Sequence, residues 1–367
     1  MKSRVQIIDV AKRLGFGLIV TVLLLAGLPA DAEQRKEVRI ATVAHYNGSK
    51  PSFIGSAAVI EKEGWLRDEL QKHGIKLVWV PVAPQSVGAT INESFANRSI
   101  DFAGYGDLPS IILNAGGVET RLIVPGGRGN NVYLLVPPKS TVKSIADLKG
   151  KRIALHRGRP WEITFARLAE ANGLKLSDFK IANLNPGAGA AALAAGNVDA
   201  FVTLSDAYPL VDKKVGRILW STKTPGQDWK MRAELWGDKS FVEKHPDITQ
   251  IVATAYVRAA HWSAQEENYS EFIRIAVVGG QDENVVKREY ANDTVSWKAR
   301  WNPLFDEFVT SHYRNAIYYS RKVNLIRNTV DEARLFDSRF VKQAIKDLKL
   351  EGYWGAITVA SVADKGA

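Results

Sequence analysis

Short stretches of alternating apolar residues, separated by segments with helical spacing, set the overall pattern of this chain. Residues 38–43 alternate in this way and predict a first strand, which is followed by a polar loop over residues 45–52. The spacing then becomes helical from Ile54 to Glu63, and Gly64 stands at a favourable C-cap position. The same reasoning predicts further strands over residues 77–82, 100–103, 121–124, 132–136, 152–155, 180–184 and 198–202, and further helices over residues 89–97, 109–115, 160–172 and 188–195. Strands that alternate with helices predict an α/β fold with mostly parallel sheets.

Two parts of the chain follow one plan. Residues 38–41 and 151–154 both contain Arg-Ile-Ala, and each is followed by a polar loop and a helix. Later in each part a short helix precedes a strand that begins with an apolar residue and an aspartate, and a second acid follows, Asp107 or Asp206. This common order predicts two lobes of similar architecture. No low-complexity linker divides the chain, so we expect more than one crossing between the lobes.

From residue 241 onward the pattern is mainly helical. Apolar residues between 248 and 262 recur at helical spacing, which predicts a long helix over residues 247–267. Residues 297–321 are rich in aromatic side chains, and residues 338–348 predict a final helix. We expect residues 346–367 to form a C-terminal tail, without regular structure after Gly355.

The first 32 residues have the pattern of a secretory signal peptide. Basic residues come first, residues 14–28 carry no charge, and Ala30-Asp31-Ala32 gives a small-x-small cleavage site. The pattern predicts cleavage near Ala32 and a periplasmic protein. The alternative is an uncleaved N-terminal anchor, but the uncharged run is shorter than the roughly 20 residues that span a bilayer.

The composition narrows the function further. The chain has no cysteine, which excludes disulfides, a thiol nucleophile, a thiolate metal site and a lipid-attachment cysteine. The mature chain of 335 residues (367 minus 32) is longer than one core normally covers, so two domains are expected. The formal net charge of +10 favours anionic solutes. A basic surface also suits nucleic acid, but export argues against that partner.

Sequence signatures of catalysis are missing. The six histidines form no His-x-x-x-His pair, and no Gly-x-Ser-x-Gly elbow occurs. The Gly-rich segment 126–131 lacks the Gly-Lys-Ser/Thr of a nucleotide-binding loop. We therefore expect a binding protein without a metal or cofactor rather than an enzyme.

Four segments carry a family resemblance when they are taken in order, residues 100–107, 136–154, 196–200 and 241–247. Together they resemble the sulfonate/nitrate/taurine family of ABC-importer binding proteins. The resemblance implies a type II periplasmic-binding fold, in which two α/β lobes joined by two hinge strands close on a solute. It places lobe I at 33–130 plus 235–345 and lobe II at 131–234, with hinges near 130–134 and 231–236. It also implies ABC permease subunits as the partner, and we expect a monomer.

The loop between the predicted strand 152–155 and the following helix is the strongest candidate for ligand binding. In open α/β sheets, ligands bind beyond the carboxyl ends of strands, and backbone N–H groups at a helix start favour an anion. Here the candidates are His156, Arg157, Arg159 and Trp161. Either arginine would give a bidentate contact to a carboxylate or sulfonate, unless both face solvent.

This loop departs from the small hydroxyl residues usual in the family. The departure argues against taurine and for a more strongly anionic solute, or for one with a flat apolar part that Trp161 covers.

Further candidates lie in the other loops that follow predicted strands. Tyr46, Asn47, Ser49 and Ser86 offer hydrogen-bond donors, Asp107 and Asp206 accept from a ligand amine or only cap a helix, and Arg128 is expected near the cleft mouth. The leading hypothesis is an organic anion, a sulfonate or related acid. The alternatives are a heteroaromatic solute resembling a thiamine precursor, recognised by the two aspartates and by tryptophans, or a lyase or hydrolase with His45 or His156 as base.

Overall fold

The computed structural model describes residues 36–226 and 229–357 of the chain. The strands are β1 Glu37–Asn47, β2 Lys50–Phe53, β3 Lys76–Val82, β4 Phe102–Gly106, β5 Thr120–Val124, β6 Tyr133–Val136, β7 Arg152–Ala154, β8 Lys180–Ala182, β9 Ala200–Thr203, β10 Arg217–Ser221 and β11 Ala233–Asp238. The helices are α1 Gly55–Glu63, α2 Trp65–Lys72, α3 Val87–Ala96, α4 Asp107–Ala115, α5 Pro160–Ala171, α6 Pro186–Ala194, α7 Ala207–Asp212, α8 Lys239–Lys244, α9 Pro246–Ala264, α10 Tyr269–Val278, α11 Glu283–Tyr290, α12 Trp297–Arg300, α13 Glu307–Lys322, α14 Glu332–Leu335 and α15 Arg339–Asp347. The predicted signal peptide, residues 1–32, lies outside the described residues. No helix within them has the length and apolar character that crossing a membrane requires.

Two separate sheets form the centres of two α/β lobes, which confirms the predicted fold class. In the first lobe β1 is parallel to β3 and β4, while β11 is antiparallel to its neighbours β4 and β5. In the second lobe the order is β10-β6-β9-β7-β8, with β7 parallel to β8 and β9. Strand β6 runs antiparallel to β9 and β10. Most strands of each sheet therefore end at the same edge, where connecting loops can form a site.

Helices cover both faces of each sheet. In the first lobe one core contains residues of α1, α2, α9, α10 and α15, and the other contains residues of α3, α4 and α13. In the second lobe α5 packs on one face and α6 with α7 on the other. The cores explain why continuous apolar runs such as β6 and β9 are strands, since side chains on both of their faces are buried.

Two chain segments cross between the lobes side by side. The backbones of Asn130 and Met231 exchange hydrogen bonds of 2.8 and 3.1 Å. Gly129 has a φ of +85°, and a Cβ there would lie 2.4 Å from the carbonyl oxygen of Met231, so this close approach requires glycine. Both segments fall within or next to the predicted hinges, while the lobe boundaries themselves stay predictions.

A buried polar cluster fixes these crossings. The carboxylate of Asp293, which follows α11, accepts hydrogen bonds from Lys230 Nζ at 2.6 Å and from Asn131 Nδ2 at 3.1 Å. Arg300 also donates to it. Burial alone would raise the pKa of Asp293, but the charges of Arg300 and Lys230 outweigh it and lower that pKa to about 2. The ionised carboxylate thus joins both crossing segments to the helical part of the first lobe.

The lobes also touch on either side of the crossings. Ile163 of α5, in the second lobe, is buried among residues of the first lobe's core. Arg288 of α11 pairs with Asp212 of α7 at 2.7 Å. The two halves are thus drawn together in the described conformation.

A predicted loop is a hairpin in the structure. Residues 45–52 form the β1–β2 hairpin, because β1 continues to Asn47 and pairs with Lys50 across a turn in which Gly48 has a φ of +62°. Polar composition concealed this hairpin. Helix α2 and strand β10 also have no counterpart in the sequence prediction. The final helix, predicted over residues 338–348, is α15, and Trp354 beyond it is buried in the first lobe.

Candidate functional site

A crevice of about 230 Å³ lies between the two lobes, at the edge where the strands end. The first lobe contributes the start of α3 and part of α4, and the second lobe contributes the loop before α5. Its lining residues are Gln85, Ser86, Gly88, Ala89, Asn92, Pro109, Ile112, His156, Arg157, Gly158 and Arg159. The predicted loop at residues 156–159 is therefore part of an interlobe crevice.

Arg159 is the only charged side chain in this crevice, within the described residues, that has no acidic partner nearby. Its Nη2 donates to the carbonyl oxygen of Pro84 at 3.4 Å, and its Nε is buried without a hydrogen-bond partner among the residues described. The guanidinium lies 5.0 Å from the ring centre of Trp161. Burial lowers the pKa of Arg159 to about 10, so it stays charged at neutral pH. A half-buried cation without a counter-ion favours binding of an anion.

The first turn of α3 faces this guanidinium. A Cβ placed on Gly88 would lie 3.9 Å from Arg159 Nη1, an ordinary contact distance, so the side chain reaches the start of α3. Ser86 occupies the N-cap position of α3 but makes no capping hydrogen bond with its side chain, and Thr90 Oγ1 donates to its hydroxyl oxygen at 3.2 Å. The Ser86 hydroxyl and the first-turn N–H groups are thus available to a negatively charged group.

Arg157 has a different environment although it stands in the same loop. Its Nε donates to Glu162 Oε1 at 2.9 Å, and Glu162 is fully buried on α5. The backbone N–H of Gly158 donates to the other carboxylate oxygen at 2.6 Å. Arg157 therefore neutralises a buried acid and shapes the loop, which leaves Arg159 as the free cation of the pair.

His156 lines the crevice, whereas Trp161 lies behind it. Burial and the charge of Arg159 lower the pKa of His156, which favours the neutral imidazole at pH 7. Its Nδ1 is buried and has no hydrogen-bond partner within the described chain. Trp161 is only 3% exposed and belongs to the core of the second lobe. The structure places the Trp161 ring behind Arg159, on the protein side, rather than in the lining of the crevice.

Arg128 does not lie near the cleft mouth as expected. It is 1% exposed and forms a bidentate ion pair with Asp306 at 3.1 and 2.6 Å. Asp306 is the N-cap of α13, so this pair joins the Gly-rich loop to the helical part of the first lobe. The sequence offered no sign that an acid 178 residues away would hold this arginine.

The two aspartates have different surroundings. Asp107 is fully buried at the start of α4, where it accepts from the backbone N–H of Arg232 at 3.2 Å and contacts His312 Nε2 at 2.6 Å. The backbone N–H of Leu108 also donates to this carboxylate, so both of its oxygens have partners within the protein. Asp206 is exposed at the N-cap position of α7 without a capping hydrogen bond. Surrounding protein raises the pKa of Asp206, and the charge of His45 across the lobes opposes that rise.

The hairpin residues lie apart from the crevice. Tyr46 is 57% exposed, and Ser49 is exposed in the turn. Asn47 is the last residue of β1, and its side chain lies outside the described part of the chain. Neither Tyr46 nor Ser49 is among the described residues that line the crevice. The hairpin instead approaches the second lobe through His45.

Asn92 is a crevice residue that the sequence analysis did not identify. Its Nδ2 donates to the carbonyl oxygen of Pro109 at 2.9 Å, and its Oδ1 is buried without a partner among the described residues. It stands one helical turn after Gly88 on α3, and residues four apart share a helix face. That spacing in the predicted helix was the signal that would have identified it.

A second crevice, of about 370 Å³, lies in the helical part of the first lobe. Its lining residues are Glu266, Tyr269, Tyr290, Val295, Trp297 and Arg300. Arg300 is already held by Asp293 and by the carbonyl oxygen of Gly129 at 3.1 Å. Arg300 therefore has a carboxylate partner, whereas Arg159 has none among the described residues. No group of three or more potential metal ligands occurs in residues 36–226 and 229–357.

Known proteins share this fold and much of this sequence. The structure of the periplasmic sulfonate-binding protein SsuA from Methylobacillus flagellatus is similar with a TM-score of 0.80 and 48% identity, covering 89% of this chain and 98% of that chain. A Bacillus subtilis protein named for binding aliphatic sulfonates is 25% identical over 90% of this chain and 96% of its own length. The taurine-binding periplasmic protein of Escherichia coli is 26% identical over 70% of this chain and 78% of its own.

A family profile gives the assignment. The profile described as NMT1/THI5 like matches residues 61–268, which is more than half of the 367 residues and includes every residue that lines the interlobe crevice. The chain therefore belongs to the NMT1/THI5-like family.

Proposed function

We propose that this protein is the exported solute-binding component of an ABC importer, and that it captures an organic anion, a sulfonate or related acid, between its lobes. The observation that carries the proposal is Arg159, a half-buried side chain in the interlobe crevice with a buried, unpaired Nε and no carboxylate partner among the described residues. A sulfonate or carboxylate would supply the missing charge and two or three charge-assisted hydrogen bonds. The Ser86 hydroxyl and the first turn of α3 face the same space.

Capture would proceed by closure of the two lobes. We propose lobe I as residues 33–130 plus 235–345 and lobe II as residues 131–234, with hinges near 130–134 and 231–236. Arg159 belongs to lobe II and already donates to Pro84 of lobe I. An anion held by both sides would favour the closed arrangement, and closure would present the complex to permease subunits in the membrane. We propose that the protein acts as a monomer in the periplasm after cleavage near Ala32.

The relatives favour this proposal over a heteroaromatic solute. The relatives described above carry names for sulfonate or taurine binding. The geometry agrees, because Asp107 is occupied by His312 and Trp161 lies in the core, so two groups needed to recognise a heteroaromatic cation are not available. We also propose a binding role rather than catalysis, since the chain has no cysteine nucleophile and the relatives carry names of binding proteins.

Thermal unfolding with a panel of solutes tests the proposal. The purified protein is unfolded in the presence of ethanesulfonate, propane-1-sulfonate, taurine, acetate, nitrate and thiamine, each from micromolar to millimolar. We expect at least one sulfonate to raise the melting temperature in a dose-dependent way, as binding to the folded state requires. Stabilisation by thiamine alone would support the heteroaromatic alternative, and stabilisation by none of the organic anions would contradict the proposal.

A further inference from the structure

The interlobe crevice contains a hydrogen-bond acceptor without a donor as well as a cation without a carboxylate partner, within the residues described. Asn92 Oδ1 is buried and has no hydrogen-bond partner within the described residues, although Asn92 lines the crevice. Buried polar atoms are paired in the great majority of cases, because an unpaired one loses its hydrogen bonds to water without replacement. An unpaired acceptor inside a binding crevice therefore indicates that a bound molecule supplies a donor.

The orientation of the Asn92 amide is set by its surroundings. Nδ2 donates to the carbonyl oxygen of Pro109 at 2.9 Å. The reversed orientation would direct Oδ1 at that carbonyl, placing two acceptors together, so the donor end is fixed on Pro109 and the acceptor end is left over. The crevice thus offers an acceptor at this point, not a group that adapts to either kind of partner.

Asn92 and Arg159 line the same interlobe crevice. Arg159 Nη1 lies 3.9 Å from the position of a Cβ on Gly88, and Asn92 is one turn further along the same face of α3. Four residues of helix rise about 6 Å, which is the length of a short organic molecule. Pro109 contacts both positions, since the Gly88 Cβ position is 3.3 Å from its Cβ and its carbonyl receives the Asn92 amide. One small ligand can therefore reach both groups.

We infer that the solute is an organic anion that also carries a hydroxyl group as a hydrogen-bond donor, two or three carbon atoms from its anionic group. This inference rests on the proposed function and adds that Asn92 determines specificity within the class of anions. Arg159 binds the anionic head, which every sulfonate or carboxylate presents. Asn92 accepts from the donor, so an unsubstituted alkyl chain leaves Oδ1 buried and unpaired.

Matched pairs of sulfonates test the inference by calorimetric titration. In the first pair, 2-hydroxyethanesulfonate is compared with propane-1-sulfonate, in which a methyl group replaces the hydroxyl. In the second, 3-hydroxypropane-1-sulfonate is compared with butane-1-sulfonate, which moves the donor by one carbon. We expect the hydroxylated member to bind at least about fivefold more tightly in one pair or both. Equal affinities within both pairs would overturn the inference.

Variants of Asn92 test whether this residue causes the preference for the hydroxylated sulfonate. In Asn92→Leu, the affinity ratio within the preferred pair is expected to fall to about one, while the unsubstituted sulfonate still binds. Asn97→Leu is the matched control, because it makes the same replacement at the exposed C-cap of α3, away from the residues that line the crevice, and it is expected to keep the wild-type ratio. A ratio is insensitive to a general loss of stability, and Asn92→Ala with near-UV circular dichroism provides a second test of folding. An unchanged ratio in both Asn92 variants, or the same fall in Asn97→Leu, would overturn the role of Asn92.

The outcomes separate the two proposals. If the wild-type protein binds alkanesulfonates without preferring the hydroxylated member, the inference about the donor fails and the proposed function stands. If no sulfonate of either pair binds to the wild-type protein, both proposals fail for this class of anion.

Discussion

Arg159 of the second lobe donates a hydrogen bond of 3.4 Å from Nη2 to the carbonyl oxygen of Pro84 in the first lobe. The bond crosses the crevice, and it is long for an N–H···O contact. One neutral carbonyl balances little of the charge of a half-buried guanidinium. A bound anion would satisfy the guanidinium and would hold the two lobes together through one side chain, which connects ligand binding directly with closure.

Replacing Arg159 by glutamine is expected to weaken sulfonate binding by at least about tenfold, because a charge-assisted hydrogen bond contributes about 1.5–3 kcal/mol. The same variant is expected to keep or exceed the wild-type free energy of unfolding without ligand, since it removes a half-buried cation that lacks a carboxylate partner. Calorimetric titration with ethanesulfonate and urea unfolding measure the two quantities.

Arg157→Gln is the matched control. It is expected to lower the free energy of unfolding but to leave sulfonate affinity nearly unchanged. Loss of its contact with the fully buried Glu162 should cost about 1–2 kcal/mol of stability, a value kept small because Arg157 is partly solvated. Its sulfonate affinity should stay close to that of the wild type. A similar loss of affinity in both variants would contradict the assignment of the anion to Arg159.

Sulfonate binding is expected to strengthen as the pH falls from about 7.5 to about 5.5. Burial and the charge of Arg159 lower the pKa of His156, so the free protein holds this imidazole neutral over most of that range. An anion in the crevice favours the charged imidazole and raises the pKa of His156, so binding takes up protons. Titrations across this pH range, in buffers with different ionisation enthalpies, measure the uptake. His156→Gln should remove the pH dependence, and a slope that persists in this variant would refute the role of His156.

The sequence patterns predicted the order of strands and helices from β1 to β9, apart from β2 and α2, because burial of both sheet faces imposes apolar runs and glycine marks helix ends. The loop at residues 156–161 was likewise predictable from its position after β7. Which arginine is free was not predictable, since the answer depends on whether Glu162 turns back toward the loop. Arg128 was misplaced for a related reason, because Asp306 is distant in sequence and only the fold brings it near.

Asp293→Asn is expected to destabilise the protein by about 2–4 kcal/mol at pH 7, because it leaves Lys230 and Arg300 buried without their carboxylate. The pKa of Asp293 falls from the ordinary 3.8 to about 2 on folding, so its contribution is present above about pH 4 and is lost as the pH falls through about 2. Urea unfolding at a series of pH values should show that the free energy of unfolding falls more steeply at acid pH in the wild type than in the variant. Parallel profiles would contradict the role given to this carboxylate.

Gly106→Ala tests whether closure of the lobes determines affinity. A Cβ on Gly106, at the end of β4, would lie 2.4 Å from Cγ of Pro160, the first residue of α5 in the opposite lobe. The φ of Gly106 is −70°, which alanine adopts without strain, so the methyl group acts only when the lobes meet. We expect sulfonate affinity to fall by about tenfold, since overpacking of this kind costs about 1–3 kcal/mol.

Free-state stability separates this effect from damage to either lobe. Without ligand the lobes of Gly106→Ala can open slightly, so its urea unfolding should resemble that of the wild type, while its ligand-induced compaction in small-angle X-ray scattering should be smaller. Gly187→Ala on α6 is the control, because the nearest atom to its new methyl group would be 3.6 Å away, an ordinary contact. It should bind and compact like the wild type. Wild-type affinity in Gly106→Ala would show that the anion is held without the contact between β4 and α5, and would separate capture from closure.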